Sequence, residues 1–222
     1  MEIKNSMQDR YGANGKERNN EEAKVREINA REMSQSRSIV RRETLKVRDA
    51  MSAMERQKGS LLMTERILGH QWFYRCGTFL CFASYGSEID TSELINEAIR
   101  MGKRVFLPKV TNVSGREEMS FFRLTDLSEL SAGYKGIPEP PENAEKYMYD
   151  PTEAERTLML MPGVAFDAFR NRLGYGKGFY DGFLADKEAL QLRTIAVGFR
   201  CQMVEKIPER EGDIRPYQVI CT

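Results

Sequence analysis

The stretch RLGYGKGFYDGFLA, residues 172 to 185, places Gly174, Gly176 and Gly178 at alternate positions beside two cations, four aromatics and a carboxylate. Glycine admits positive φ and lets a ligand approach the main chain closely. Lys177 and Arg172 can neutralise phosphate, the arginine bidentately. The apolar run TLMLMPG precedes this stretch and FYDGFLADKEAL follows it. The glycines are therefore expected between the carboxyl end of a strand and the start of a helix, where free amides favour anions and where open α/β sheets commonly bind ligands. The familiar phosphate motifs do not match. A P-loop needs Ser or Thr after the lysine, but Gly178 stands there, and a dinucleotide fingerprint needs glycine where Phe179 stands. Spacing alone leaves an anion-binding loop and a plain tight turn both open.

Composition limits what this stretch can serve. The 34 lysines and arginines nearly balance 33 aspartates and glutamates, so no global basic field draws the chain to nucleic acid and none is expected as partner. The cysteines, Cys76, Cys81, Cys201 and Cys221, contain no C-x-x-C pair, and no apolar leader follows the start. Reduced thiols in a cytoplasm are the expectation. No apolar run approaches the roughly 20 residues of a membrane span, so no membrane is expected either. With His70 as the single histidine, a multi-histidine metal site within one chain is excluded, and a Ser-His-Asp triad would have to use that residue. His70 is expected inside a helix, in a structural or surface role. The chemistry is left to lysine, arginine, carboxylate and backbone amides.

These groups need elements to hold them. Residues 1 to about 37 lack an apolar stripe and read as a polar extension, disordered or loosely helical, ahead of one domain over residues 38 to 222. From Ile39, Val40, Val47, Met51 and Met54 recur at helical spacing and are expected to pack on the domain. Gly59 and Ser60 are expected to end one helix and begin another. TFLCFASYGSEIDTSELINEAIRMGKRVFLPKV then reads as strand, loop, helix and strand, a right-handed βαβ unit. Asp90 is expected to cap its helix with Glu93 reaching back, Ile89 to pack on Leu94, and Gly102 to close it. MSFFRL, TLMLMP, TIAVGF and QVICT supply further strands. The residues VAFDAFRNRLGYGKG read as a long connection, with Phe179, Phe183 and Leu190 on one helical face beyond it. The fold class is α/β, a mostly parallel open sheet flanked by helices with an amino-terminal helical segment. Phe79, Leu80, Phe82 and Phe199 are expected in its core, with Phe82 and Ala83 bordering a pocket.

MPGVAFDAFRNRLGYGKGFYDGFL closely resembles the signature of the 5-formyltetrahydrofolate cyclo-ligase family, PG-hydrophobic-x-FD followed by RLG-x-G-x-G-Y-Y-D. SEIDTSELINEAIRMGKRVFLPKV, GIPEP and IPEREGD resemble further family segments in the same order. The resemblance spans about residues 40 to 222 and implies a NagB/RpiA/CoA transferase-like fold. It also implies an enzyme that converts 5-formyltetrahydrofolate and ATP, with Mg²⁺, to 5,10-methenyltetrahydrofolate, ADP and phosphate. In the implied mechanism the N5-formyl oxygen attacks the γ-phosphate, N10 attacks the activated formyl carbon, and phosphate leaves. That chemistry asks for charge neutralisation and positioning more than for a strong base.

The resemblance assigns roles residue by residue. Arg172, Leu173, Gly174, Tyr175, Gly176, Lys177, Gly178, Phe179 and Tyr180 match the ATP loop, and Tyr175 through Phe179 also face folate. Lys177 and Arg172 carry the catalytic charge. Asp181 and Asp213 match metal-side carboxylates, against the plainer readings of a helix-start acid and a surface loop acid. Glu88 matches a folate-contacting glutamate, against an ordinary loop acid, and Ala83 borders the same substrate. Two departures stand out. The family's K-x-x-L-R nucleotide pattern is represented by RETLK, which puts Arg42 and Lys46 in each other's expected places. Y-Y-D has become F-Y-D, so Phe179 offers no hydroxyl. A monomer, or at most a dimer, is expected. The alternative is a non-catalytic folate- or nucleotide-binding relative acting through a partner or RNA.

Overall fold

The computed structural model describes the backbone from Ser6 and the side chains from Glu27. Part of the expected extension, residues 1–5, therefore lies outside the described residues. The chain divides into two compact units, Met1–Ile39 and Val40–Thr222. Helix α1 spans Ser6–Asp49 and accounts for all described backbone of the first unit; residues 40–49 belong to the second.

The larger unit continues with α2 (Ala53–Leu68), α3 (Gln71–Arg75), β1 (Thr78–Leu80), α4 (Ser92–Arg100), β2 (Arg104–Val113) and β3 (Arg116–Leu124). Two short strands follow, β4 (Ser131–Ala132) and β5 (Pro138–Glu139), then β6 (Thr157–Met161), β7 (Ala165–Phe166) and β8 (Arg172–Leu173). Helices α5 (Phe179–Leu184) and α6 (Glu188–Gln191) lead to β9 (Thr194–Gly198) and β10 (Gln218–Cys221). The main sheet has the order β10-β9-β6-β1-β2-β3, parallel except for the β2–β3 hairpin. That hairpin turns through Ser114 and Gly115, both at positive φ, which matches the twist of the strands it joins.

Strand alternation splits the core into two layers. Phe79, Leu158, Leu160, Ile195 and Val197 face the layer containing Ile67, Phe73, Leu94 and Ile95 from α2, α3 and α4. Their neighbours Leu80, Met159, Met161 and Ala196 face the other layer, with Leu184 of α5 and Leu190 of α6. Buried strands with helices on both faces read as continuous apolar runs, as TLMLM and TIAVG do. Phe82 and Phe199 are buried in the first layer and Ala83 packs at its edge.

Several expectations need correction. The first helix ends at Asp49, not Gly59, because Ser52 and Glu55 form a reciprocal capping box that starts α2. Gly59 lies inside α2, where a Cβ would come within 2.8 Å of the Phe199 ring, so it permits a close approach instead of ending a helix. With the break moved, Val47 and Met54 are exposed and only Val40 and Met51 pack on the core. His70 is the N-cap of α3, not a helix-interior residue: its Nδ1 accepts from the Trp72 N–H and its Nε2 lies 3.1 Å from Gln218 Oε1. At α4, Asp90 accepts from the Ser92 N–H, but the Asp90 N–H donates to Ser60 Oγ and not to Glu93. The connection after β6 contains the β7–β8 hairpin, and FYDGFLADKEAL forms two short helices rather than one.

Because Phe199 is fully enclosed and cannot swing aside, Gly59→Ala is expected to destabilise the protein by about 1–3 kcal/mol. Thermal denaturation should register this as a fall of about 2–4 °C per kcal/mol.

Candidate active site

The sheet order reverses around β1, which pairs with β2 on one side and β6 on the other. In open α/β sheets ligands commonly bind outside the carboxyl ends of the strands at such a reversal. The loop after β1 carries Glu88, and the connection after β6 carries the glycines. Gly176 and Gly178 have φ of 99° and 70°, so the sequence can make this turn without side-chain strain.

Beneath the loop, Arg172 is buried. Its guanidinium donates to the Pro162 carbonyl at 3.3 Å and to Asp181 Oδ1 at 3.2 Å, and it lies over the Tyr180 ring. Its Nε has no protein partner. Asp181 Oδ1 also accepts from the Ile214 N–H at 3.1 Å, which brings the segment holding Asp213 beside α5. Asp213 Oδ2 accepts from the Arg210 N–H in its own turn. Lys177 projects into solvent and pairs with Glu117 Oε2 of β3 at 2.9 Å. The Tyr134 hydroxyl donates to the same oxygen, and its ring meets Phe179 edge-on. Glu117 and Tyr134 raise the Lys177 pKa, so the side chain is an ammonium throughout the neutral range.

Tyr175 ties the two loops together. Its ring is half exposed while its hydroxyl reaches inward, donating to Glu88 Oε1 at 2.8 Å and accepting from Arg48 at 2.9 Å. Glu88 Oε2 accepts from the Tyr85 N–H. Burial pushes the Glu88 carboxyl up, and the Tyr175 hydrogen bond, the Tyr85 amide and the Arg48 charge each pull it back. Burial, with the Glu88 charge next, pushes the Tyr175 hydroxyl well above its ordinary range.

The structure brings together Glu88, the residues from Arg172 to Asp181, and the neighbourhood of Asp213. Ala83 is half-buried at the foot of the β1 loop. It does not bring in Arg42 or Lys46. Arg42 pairs with Glu43 on the exposed side of α1, and Lys46 is also exposed. The face of α1 turned inward carries Arg41, Thr44, Leu45 and Arg48, at i, i+3, i+4 and i+7. Arg41 Nε donates to the Gly174 carbonyl at 2.7 Å, and a Cβ on Gly176 would lie 3.6 Å from its guanidinium carbon. Sequence reasoning missed Arg41, Arg48, Glu117 and Tyr134. For the two arginines the helical period could have found them, since only one face of RRETLKVR can meet the loop.

An α/β sheet with a cation-lined glycine loop at its switch point has the geometry to receive an anion. The model of the 5-formyltetrahydrofolate cyclo-ligase family matches residues 33–222. The chain is 32% identical to the 5-formyltetrahydrofolate cyclo-ligase of Mus musculus over 181 residues, 77% of this chain and 86% of that protein. Against the 5-formyltetrahydrofolate cyclo-ligase of Escherichia coli, identity is 30% over 167 residues, covering 75% and 90%. Among solved structures, the 5,10-methenyltetrahydrofolate synthetase of Aquifex aeolicus matches with a TM-score of 0.67 at 29% identity, covering 81% of this chain and 86% of that one. The chain belongs to the 5-formyltetrahydrofolate cyclo-ligase family.

Asp181→Asn would weaken the hold on a buried guanidinium. Its expected cost is about 1.5–3 kcal/mol, the range for a hydrogen bond to a charged group. A urea titration should show a lower midpoint at an unchanged slope.

Proposed function

We propose that the protein is an ATP-dependent 5-formyltetrahydrofolate cyclo-ligase, forming 5,10-methenyltetrahydrofolate, ADP and phosphate. The observation that carries this reading is the Tyr175–Glu88 hydrogen bond, which joins the cationic glycine loop to the acidic loop at the switch point. A substrate lying across that contact has its phosphate-accepting oxygen beside Lys177 and its amino and ring N–H groups beside a carboxylate.

The reaction starts with attack of the N5-formyl oxygen on the γ-phosphorus, and ADP leaves. N10 then bonds to the activated formyl carbon and loses its proton, and the carbon–oxygen bond breaks to release phosphate. The transferring oxygen carries no proton, so what the protein supplies is charge and alignment. Lys177 exchanges Glu117 for the γ-phosphate, while the amides of Gly176 through Gly178 take phosphate oxygens. Arg172 holds α5 and the loop in register and offers charge from below. Arg41, bonded to the Gly174 carbonyl, fills the nucleotide role that the sequence assigned to Arg42 and Lys46. Phe179 keeps a stacking surface, and Glu88 with Ala83 receives the folate.

The donor set fits Mg²⁺. Among the described residues no cluster of three ligating side chains exists, and a Mg²⁺ ion usually takes one or two carboxylates with phosphate oxygens and water. Asp181, with its Oδ2 outside the Arg172 and Ile214 contacts, and Asp213, next in sequence to Ile214, would hold the ion, which would supply charge neutralisation for the phosphates. One chain provides every group named, which suits a monomer or at most a dimer, and its four free cysteines suit a cytoplasmic setting. No described helix is long and apolar enough to cross a membrane.

Mixing the protein with 5-formyltetrahydrofolate and MgATP should give the near-ultraviolet absorbance of the methenyl product, and omission of ATP should abolish it. Folded protein that binds both ligands without product would refute the proposal. Lys177→Gln is expected to lower kcat by about 10²–10³ with folate affinity changed less than about threefold; equal turnover would remove Lys177 from the chemistry. In ATP titrations, Arg41→Ala should raise KM about tenfold, the loss of about 1.4 kcal/mol. Arg42→Ala should leave it within about twofold, because among the described residues Arg42 hydrogen-bonds to Glu43 and not to the loop.

A further inference from the structure

Arg48 is 3% exposed, and among the described residues no carboxylate pairs with it. Burying a guanidinium is costly unless its charge is answered. Here the answer comes through hydroxyls. Nε donates to Ser87 Oγ at 2.9 Å and one terminal nitrogen donates to Tyr175 Oη at 2.9 Å, while the other terminal nitrogen has no protein partner. A guanidinium only donates, so each hydroxyl must turn its own proton elsewhere. Ser87 gives its proton to Asp49, and Tyr175 gives its proton to Glu88 Oε1. The direction of both hydrogen bonds is therefore set by Arg48, and α1, the β1 loop and the glycine loop are joined by one directed chain.

We propose that Arg48 is a positioning residue for the folate end of the reaction, acting through the Tyr175 hydroxyl to hold the Glu88 carboxylate as an oriented acceptor. This inference rests on the reading that Glu88 receives folate. Without Arg48 the tyrosine hydroxyl is free to rotate, and Glu88 loses both a fixed donor and a nearby positive charge. The groups facing Glu88 are then Tyr175 and Tyr180 from the glycine-loop side and the Tyr85 amide of its own loop, with Asp49 beyond Ser87. None of these replaces the lost cation. Removal of either link should thus weaken folate binding and favour protonation of Glu88, while phosphoryl transfer from ATP at saturating folate is left alone.

The test compares wild type with Arg48→Met, Tyr175→Phe, the double variant, Arg48→Lys and Glu88→Gln, varying 5-formyltetrahydrofolate at saturating MgATP across pH. Thermal melts establish that each is folded, and Tyr175→Phe, altering only a hydroxyl on a half-exposed ring, carries the test if Arg48→Met does not fold. Arg48→Met, Tyr175→Phe and Glu88→Gln should each raise the folate KM about tenfold, far more than they lower kcat. The double variant should be no worse than about twice the poorer single, because the two links act in series. The acid limb of kcat/KM for folate should move to higher pH in both singles, and Arg48→Lys should restore part of the loss. Multiplicative effects, or an acid limb that does not move, would overturn the relay. A raised KM in Glu88→Gln with normal values in the other variants would overturn the relay alone, whereas a normal KM in Glu88→Gln would overturn both it and the folate-site reading.

Discussion

The burial of the Arg172 guanidinium beneath the glycine loop is the constraint from which the rest of the site follows. A charge in that position must be held from several sides. The Pro162 carbonyl supplies one contact at the end of β6, Asp181 another from α5, and the Tyr180 ring covers the plane. Asp181 in turn reaches the Ile214 amide and so fixes the segment that returns toward β10. With these contacts satisfied, the loop from Gly174 to Gly178 has both ends anchored and is left with exposed amides and one exposed ammonium. A bare loop over a buried cation is well suited to phosphate, because its dipoles are set before the ligand arrives.

The second half of the site depends on the first. Tyr175 can meet Glu88 only because the glycine loop brings its hydroxyl back toward the β1 loop, and Glu88 lies there because β1 and β6 are neighbours at the point where strand order reverses. Helix α1 closes this arrangement from outside with Arg41 on the loop carbonyl and Arg48 on the tyrosine. The β2–β3 hairpin adds Glu117, which pairs with Lys177. Two opposed requirements are thus met: the loop main chain from Tyr175 to Gly178 is exposed, and the cations around it have protein partners.

Much of this architecture was legible in the sequence. The apolar runs TFLCFA, TLMLM and TIAVG read as strands buried on both faces, although β1 takes only Thr78–Leu80 of the first, and SELINEAIR with Gly102 behind it marks the crossover helix between β1 and β2. The glycine stretch, with Arg172 and Lys177 beside it, pointed to an anion-binding loop or a plain tight turn, and spacing alone did not choose between them. What could not be read were contacts made by tertiary packing. Gly59 looks like a helix terminator until Phe199, distant in sequence, is seen against it. Among the clustered cations of RRETLKVR, charge does not distinguish Arg41 and Arg48 from Arg42 and Lys46; the helical face does. Glu117 and Tyr134 carry no local signal at all, because hairpin length and the course of the β4–β5 segment bring them to Lys177 and Phe179.

The proposed reaction activates a formyl oxygen by phosphorylating it, with charge in place of a base. The most direct measurement supplies 5-formyltetrahydrofolate labelled with ¹⁸O in the formyl group, with MgATP, and follows the label by mass spectrometry of the released phosphate. The account predicts one labelled oxygen in each phosphate formed with each methenyl product. Release of the label into water, with unlabelled phosphate, would contradict it.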